Sequence, residues 1–230
     1  MIKVALASDD GYAAQLEACA ISLIENNPEE RICIVILDNG ISDENLNGIK
    51  NSITERQGVY ERIDVSNIEE LIGFKPPLFE NSLGPYCRIF LPRLIEEERV
   101  IYLDSDMIVT GDISELWNVN IDECYVAGVL DTISDSHKES IGLTSVDVYI
   151  NSGMLVMNLD AWRKHELDKK IIDYIYKHRD DISLPDQDAI NGALAGRIFE
   201  LSPKYNFFNV FWYYPYRTLV KISRPAPYLG

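Results

Sequence analysis

The sequence predicts an α/β fold built on a mainly parallel central sheet with flanking helices. Short β-branched runs alternate with segments of helical period from the first residue onward, which is the pattern of βαβ units. Polar residues gather where the expected strands end, the edge at which open α/β sheets bind ligands. At 230 residues, 47% of them hydrophobic, the chain is long enough for one sizeable core, and residues 1–230 read as a single domain.

The elements follow in order. Ile2 to Ala7 reads as the first strand. Helical spacing of Leu16, Cys19 and Leu23, and of Ala20 and Ile24, runs to a turn at Asn26-Asn27-Pro28. Arg31 to Leu37 is a second strand, Ser42-Asp43-Glu44 opens a helix marked by Leu46, Ile49 and Ile53, and Val59 to Val65 makes a third strand. Leu83 to Leu94 has helical character despite Pro92. Arg99 to Leu103 is an apolar strand that stops directly at Asp104-Ser105-Asp106. Strands at Tyr125 to Val129, ending at Asp131, and at Gly153 to Leu159 come next, with Leu167, Ile171 and Tyr174 predicting a helix afterwards. The aromatic stretch Tyr205 to Tyr216 reads as a flap covering the core or, alternatively, as a platform for an acceptor.

Composition excludes several function classes. A net charge of −16 repels a phosphate backbone, and the Lys and Arg residues form no dense stripe, so nucleic acid is not an expected partner. Cys19, Cys33, Cys87 and Cys124 are widely spaced without a C-x-x-C pair and read as buried free thiols rather than zinc ligands. The N-terminus turns polar too early for a signal peptide, and no stretch approaches the roughly 20 apolar residues of a membrane span. A cytoplasmic location is expected, with peripheral association at the inner membrane face left open. The chain contains neither G-x-G-x-x-G nor G-x-x-x-x-G-K-[ST], which leaves dehydrogenase and P-loop readings weak.

The chemistry concentrates at Asp104 and Asp106. Two carboxylates at alternate positions beyond a buried strand turn toward one point, and hard oxygen ligands of that kind suit Mn²⁺ or Mg²⁺ bridging to phosphate. The bland alternative is a solvated turn. Elsewhere, Asp9-Asp10-Gly11 reads equally as a turn, Arg88 as a surface cation, Asp186 as the N-cap of a helix running through Leu194, and His137 as a solvated loop residue.

Taken in order, Ala7-Ser8-Asp9-Asp10-Gly11-Tyr12, Tyr86-Cys87-Arg88, Val100 to Val109, Asn151-Ser152-Gly153 and Pro185-Asp186-Gln187-Asp188 resemble the motifs of the family 8 retaining glycosyltransferases. The resemblance implies a GT-A fold, Rossmann-like in its sheet, and a UDP-hexose donor. It also implies transfer of glucose or galactose to a glycan or lipid-linked saccharide acceptor. By the same resemblance Ala7, Asp9 and Tyr12 face the uridine, Asp104 and Asp106 bind the metal beside Ser105, and Arg88 reaches the donor. Asp131, Asn151, Ser152 and Asp186 belong to the donor sugar, with Gln187 near the anomeric carbon and Asp188 the alternative nucleophile. The family's H-x-x-G-x-x-K-P-W segment, which carries a third metal ligand, is not found, and the C-terminal lid is expected to be missing from the chain. A non-catalytic nucleotide-sugar binding module is the competing reading, and a hydrolase using paired carboxylates is a further one.

Overall fold

The computed structural model describes residues 1–77 and 83–208. Strand β1 (Ile2–Ser8) leads through a short 3-10 turn at Asp10–Tyr12 into helix α1 (Ala13–Glu25), then β2 (Ile32–Asp38), α2 (Asp43–Glu55), β3 (Val59–Asp64) and α3 (Ile68–Ile72). A 3-10 segment at Gly84–Phe90 continues as α4 (Leu91–Leu94) and β4 (Arg99–Asp104), followed by α5 (Ser114–Trp117), β5 (Val126–Leu130) and α6 (Asp135–Ser140). The last elements are β6 (Ile150–Asn158), α7 (Leu159–Lys164), α8 (Leu167–His178), α9 (Pro185–Ala193) and β7 (Ile198–Leu201).

The seven strands form one sheet in the order β3-β2-β1-β4-β6-β5-β7. Its pairings are parallel except where β6 runs against β4 and β5, which confirms a mainly parallel sheet. Strand β2 is buried along its whole length, as expected of a strand covered on both faces. Val4 and Leu6 point to the layer containing α1, α2 and α5, whereas Ala5, Cys33 and Val35 point to the layer containing α3, α7, α8 and α9. Alternate residues of each strand therefore feed two cores, and the sheet lies between two helical layers.

Three expectations change. The helix expected over Leu83 to Leu94 is mostly 3-10, because Pro92 has no N–H to give to the Arg88 carbonyl, which accepts from Leu91 instead. The strand expected at Gly153 begins at Ile150, so Asn151 and Ser152 are strand residues rather than loop residues. Cys19, Cys33 and Cys87 are buried free thiols as expected, but Cys124 is only half-buried. Within the aromatic stretch, Tyr205 and Phe208 pack against the α1 and α2 core while Phe207 is exposed, and residues 209–216 lie outside the described residues. No helix among the described residues is long and apolar enough to cross a membrane.

Candidate functional site

Strand register builds the site. Ala7 of β1 lies opposite Asp104 of β4, and Leu103 lies opposite Met154 of β6, which sets Gly153 beside Asp104. Because β6 is antiparallel, its first residues reach the same sheet edge at which β1 and β4 end. A cavity of about 440 Å³ opens there. It is lined by Ala7, Asp9, Tyr12, Arg88, Asp104, Ser105, Asp106, Asp131, Asn151, Ser152, Asp186 and Gln187, which brings together every sequence-predicted site residue except Asp188.

Asp104 and Asp106 both line the cavity, Asp104 partly exposed and Asp106 exposed. A side chain at Gly153 would meet Asp104 Oδ2 at 2.9 Å and Asn151 Oδ1 at 3.0 Å, so glycine there keeps open the space beside the carboxylate. Cys19 sits beneath, its thiol directed at the Asp104 carbonyl, and burial with the nearby Asp106 and Asp104 pushes that thiol up to about 12. It therefore stays neutral at physiological pH. Among the described residues no three His, Cys, Asp or Glu side chains converge on one point.

Arg88 is no surface cation. It is 4% exposed. Its guanidinium lies 4.3 Å from the Tyr102 ring centre, donates to Asp104 Oδ1 at 2.8 Å and to the Pro85 carbonyl at 3.0 Å, and also donates to the Ser152 carbonyl. Arg88 Nε stands 3.2 Å from Asp186 Oδ2. Although burial opposes its charge, Asp104 and Asp186 hold the Arg88 pKa above its ordinary value. The residue thus serves as a pillar under the floor, orienting one carboxylate of the pair.

In the same cavity three side chains interlock. Asp131 Oδ2 accepts from Asn151 Nδ2 at 3.0 Å and from Gln187 Nε2 at 3.0 Å. Gln187 Oε1 accepts from Ser152 N at 3.0 Å, and Asn151 Oδ1 accepts from Gly153 N and Asn206 Nδ2, both at 2.9 Å. A backbone N–H donates and a carboxylate accepts, so both amides have their orientation fixed by the network. The helix cap expected at Asp186 is absent, with Leu184 at the N-cap position, and the chain before the helix is instead tied to Asp188. Its Oδ2 accepts from Ser183 N and Leu184 N at 2.9 Å each, whereas Asp186 turns toward Arg88. Asp186 Oδ2 is buried without a hydrogen-bond partner among the described residues, and burial, partly countered by Arg88, raises the Asp186 pKa. Its charge is met by the Arg88 guanidinium rather than by a hydrogen bond of good geometry.

At the mouth, Asp9 Oδ1 accepts from Gly11 N at 3.0 Å, so the turn expected at Asp9-Asp10-Gly11 forms and still presents Asp9 to the cavity. Asp10 turns away, accepting from Ser42 N at 2.7 Å and Asn45 Nδ2 at 2.8 Å. Tyr12 is 47% exposed on the cavity wall, a flat apolar surface suited to a base.

Sequence reasoning missed Tyr149, Asn206 and the role of His137. His137 is not a solvated loop residue. It lies on α6 with Nε2 2.7 Å from Asp188 Oδ1, and its ring meets Tyr149 edge-on. These contacts span 51 and 39 residues of sequence for His137 and Tyr149, and no local pattern encodes them.

The sheet thus carries at one edge a cavity lined by a carboxylate pair and by a cluster of amides and carboxylates. The family model described as glycosyl transferase family 8 matches residues 3–224, and the chain belongs to that family. It is 30% identical over 232 residues to general stress protein A of Bacillus subtilis, covering 97% of this chain and 77% of that protein. A putative glycosyltransferase of Haemophilus influenzae is 30% identical over 211 residues, of which the match spans 63% of its length and 90% of this chain. Among solved structures, the galactosyltransferase LgtC in complex with donor and acceptor sugar analogs superposes with a TM-score of 0.82 at 28% identity, over 88% of this chain and 74% of that one. The fold is thus that of GT-A glycosyltransferases, and the chain is a glycosyltransferase.

Proposed function

We propose that the chain transfers a hexose, glucose or galactose, from a UDP-activated donor to a hydroxyl of a glycan or lipid-linked saccharide, with retention of anomeric configuration and dependence on a divalent cation. The observation that carries this reading is one cavity lined by two chemically distinct groups, Asp104 and Asp106 in one and Asp131, Asn151, Asp186 and Gln187 in the other. The carboxylates supply hard oxygen ligands, and the space kept by Gly153 beside Asp104 Oδ2 fits an ion. Mn²⁺ or Mg²⁺ held by Asp104 and Asp106 would offset the charge of the donor's diphosphate. Ala7, Asp9 and Tyr12 then face the uridine.

The residues of the second group bind and orient the sugar. Asp131 and Asn151 offer fixed acceptors and donors, and Asp186, paired with Arg88, lines the same wall. Gln187 contributes its amide dipole near the anomeric carbon, where positive charge develops on the ring. Covalent catalysis by Asp188 has little support. This carboxylate is fully buried, lies off the cavity wall and accepts from Ser183, Leu184 and Tyr149 while contacting His137. Attack on the sugar would first have to break those bonds, so same-face attack by the acceptor fits better. NMR of the product should show retained configuration, and mass spectrometry of a trapped reaction should show no hexose on Asp188. An inverted product would overturn the stereochemical reading, and an adduct would overturn the mechanism alone.

A thermal-shift screen of UDP-glucose, UDP-galactose and other nucleotide sugars, with and without Mn²⁺, tests the donor assignment. A ligand at 100 times its Kd should stabilise the chain by about 2.7 kcal/mol. A shift only with a UDP-hexose and metal supports the proposal, whereas a metal-independent shift with unrelated nucleotides contradicts it. Binding without transfer to any acceptor would instead identify a nucleotide-sugar binding module.

Gly153→Ala provides a local test. The added Cβ must displace Asp104 or Asn151, and overpacking of this kind costs about 1–3 kcal/mol. UDP affinity in Mn²⁺ is expected to fall about tenfold or more by calorimetry, while affinity in chelator changes little. Equal losses in both conditions would mean that Gly153 does not serve the carboxylate pair.

A further inference from the structure

The buried groups behind Gln187 form a line that leads out of the cavity. Tyr149 Oη donates to Asp188 Oδ1 at 2.5 Å and accepts from Gln187 Nε2 at 3.2 Å. His137 Nε2 meets the same Asp188 oxygen at 2.7 Å from the outer side. Tyr149 is 1% exposed and Asp188 is fully buried, so no water replaces either partner. The helix that carries His137 is itself tied down. Ser134 Oγ caps α6 by accepting from His137 N at 3.2 Å, Lys138 Nζ donates to the Asp147 carbonyl at 2.8 Å, and the Tyr174 hydroxyl donates to the Ile141 carbonyl.

We propose that Tyr149, backed by Asp188 and His137, is a positioning residue that fixes the orientation of the Gln187 amide toward the donor sugar. The proposal rests on the reading that Gln187 faces that sugar. Its logic is a count of protons. Tyr149 has one, and Asp188 takes it, so the phenol oxygen faces Gln187 only as an acceptor. Gln187 Nε2 therefore has two acceptors, Asp131 Oδ2 and Tyr149 Oη, one for each amide proton. Its Oε1 is left to Ser152 N and the cavity. A flipped amide would set its carbonyl against a carboxylate and against a phenol whose proton is committed elsewhere. Burial, reinforced by Asp188, raises the Tyr149 pKa, which keeps that proton in place. With Asp188 a carboxylate, His137 donates through Nε2 and holds the oxygen that Tyr149 uses.

Tyr149→Phe, His137→Gln and His137→Leu test the line. Tyr149→Phe removes one acceptor from Gln187 at constant shape and is expected to lower kcat about tenfold, with KM for the donor and Kd for UDP within about twofold of wild type. His137→Gln keeps a side-chain N–H and should retain most of the activity, whereas His137→Leu should fall toward Tyr149→Phe. Acid–base chemistry at His137 would make Gln fail as badly as Leu, and that result would overturn the positioning role. A second readout needs no turnover. The two side-chain amide protons of Gln187, assigned by their loss in Gln187→Glu, should exchange faster in Tyr149→Phe than in wild type. Unchanged exchange in folded Tyr149→Phe overturns the proposal even if activity changes. Wild-type chain that binds no UDP-hexose overturns the functional reading instead, and the amide measurement separates the two failures.

Discussion

Asp106→Ala is expected to lower the transfer rate about 10³-fold while leaving the fold intact. A bound cation contributes several kcal/mol of charge stabilisation, and each 1.36 kcal/mol is a factor of ten in rate. Asp106 is exposed, so its removal should change stability by no more than about 0.5 kcal/mol. Asp104→Ala should match it in rate but also disturb the fold, because Asp104 partners the buried Arg88. Steady-state kinetics with a UDP-hexose donor, beside thermal melts of both variants, check the contrast. Asp106→Ala at near wild-type rate would remove the carboxylate pair from the chemistry.

The second large effect is on stability. Arg88→Met should destabilise the chain by about 3–5 kcal/mol at neutral pH, the usual result of leaving a buried charge without its partner. Asp104 and Asp186 would then face each other across an apolar side chain. The loss should shrink in acid. Burial already raises the Asp186 pKa, and removal of Arg88, which lowers it, raises it further. A carboxyl with a raised native pKa holds its proton more tightly folded than unfolded. Its contribution is present in full below the ordinary carboxylate value of 3.8 and is lost as pH rises through the raised native value. Urea unfolding in chelator, from neutral pH down toward 4, should show the gap between variant and wild type narrowing. A gap independent of pH would mean that Asp186 is not the group left unpaired.

Much of the site was legible because strand ends announce it. The apolar run Val100 to Leu103 stops at Asp104, and the structure places that residue where β4 leaves the sheet. Asp131 was legible for the same reason. What the sequence hid was direction and distance. Ala7 and Asn151 were marked only by their resemblance to family motifs, and only the antiparallel course of β6 explains why the beginning of that strand meets the ends of β1 and β4. Asp186 and Asp188 differ by two residues in one helix, and nothing local says which carboxylate turns back to the chain before it and which lines the cavity. The outcome is set by Arg88 on one side and by His137 and Tyr149 on the other. Pro92 was visible, yet its effect on hydrogen bonding was underweighted beside the apolar spacing of Leu83 to Leu94.

Titration calorimetry of UDP against the wild-type chain, in Mn²⁺ and again in excess chelator, tests the central claim most directly. Without a cation, Asp104 and Asp106 repel the diphosphate, so UDP should bind at least about 100-fold more tightly in Mn²⁺, a difference of about 2.7 kcal/mol. Equal affinity in the two conditions would contradict a metal-dependent nucleotide-sugar site at the end of β4.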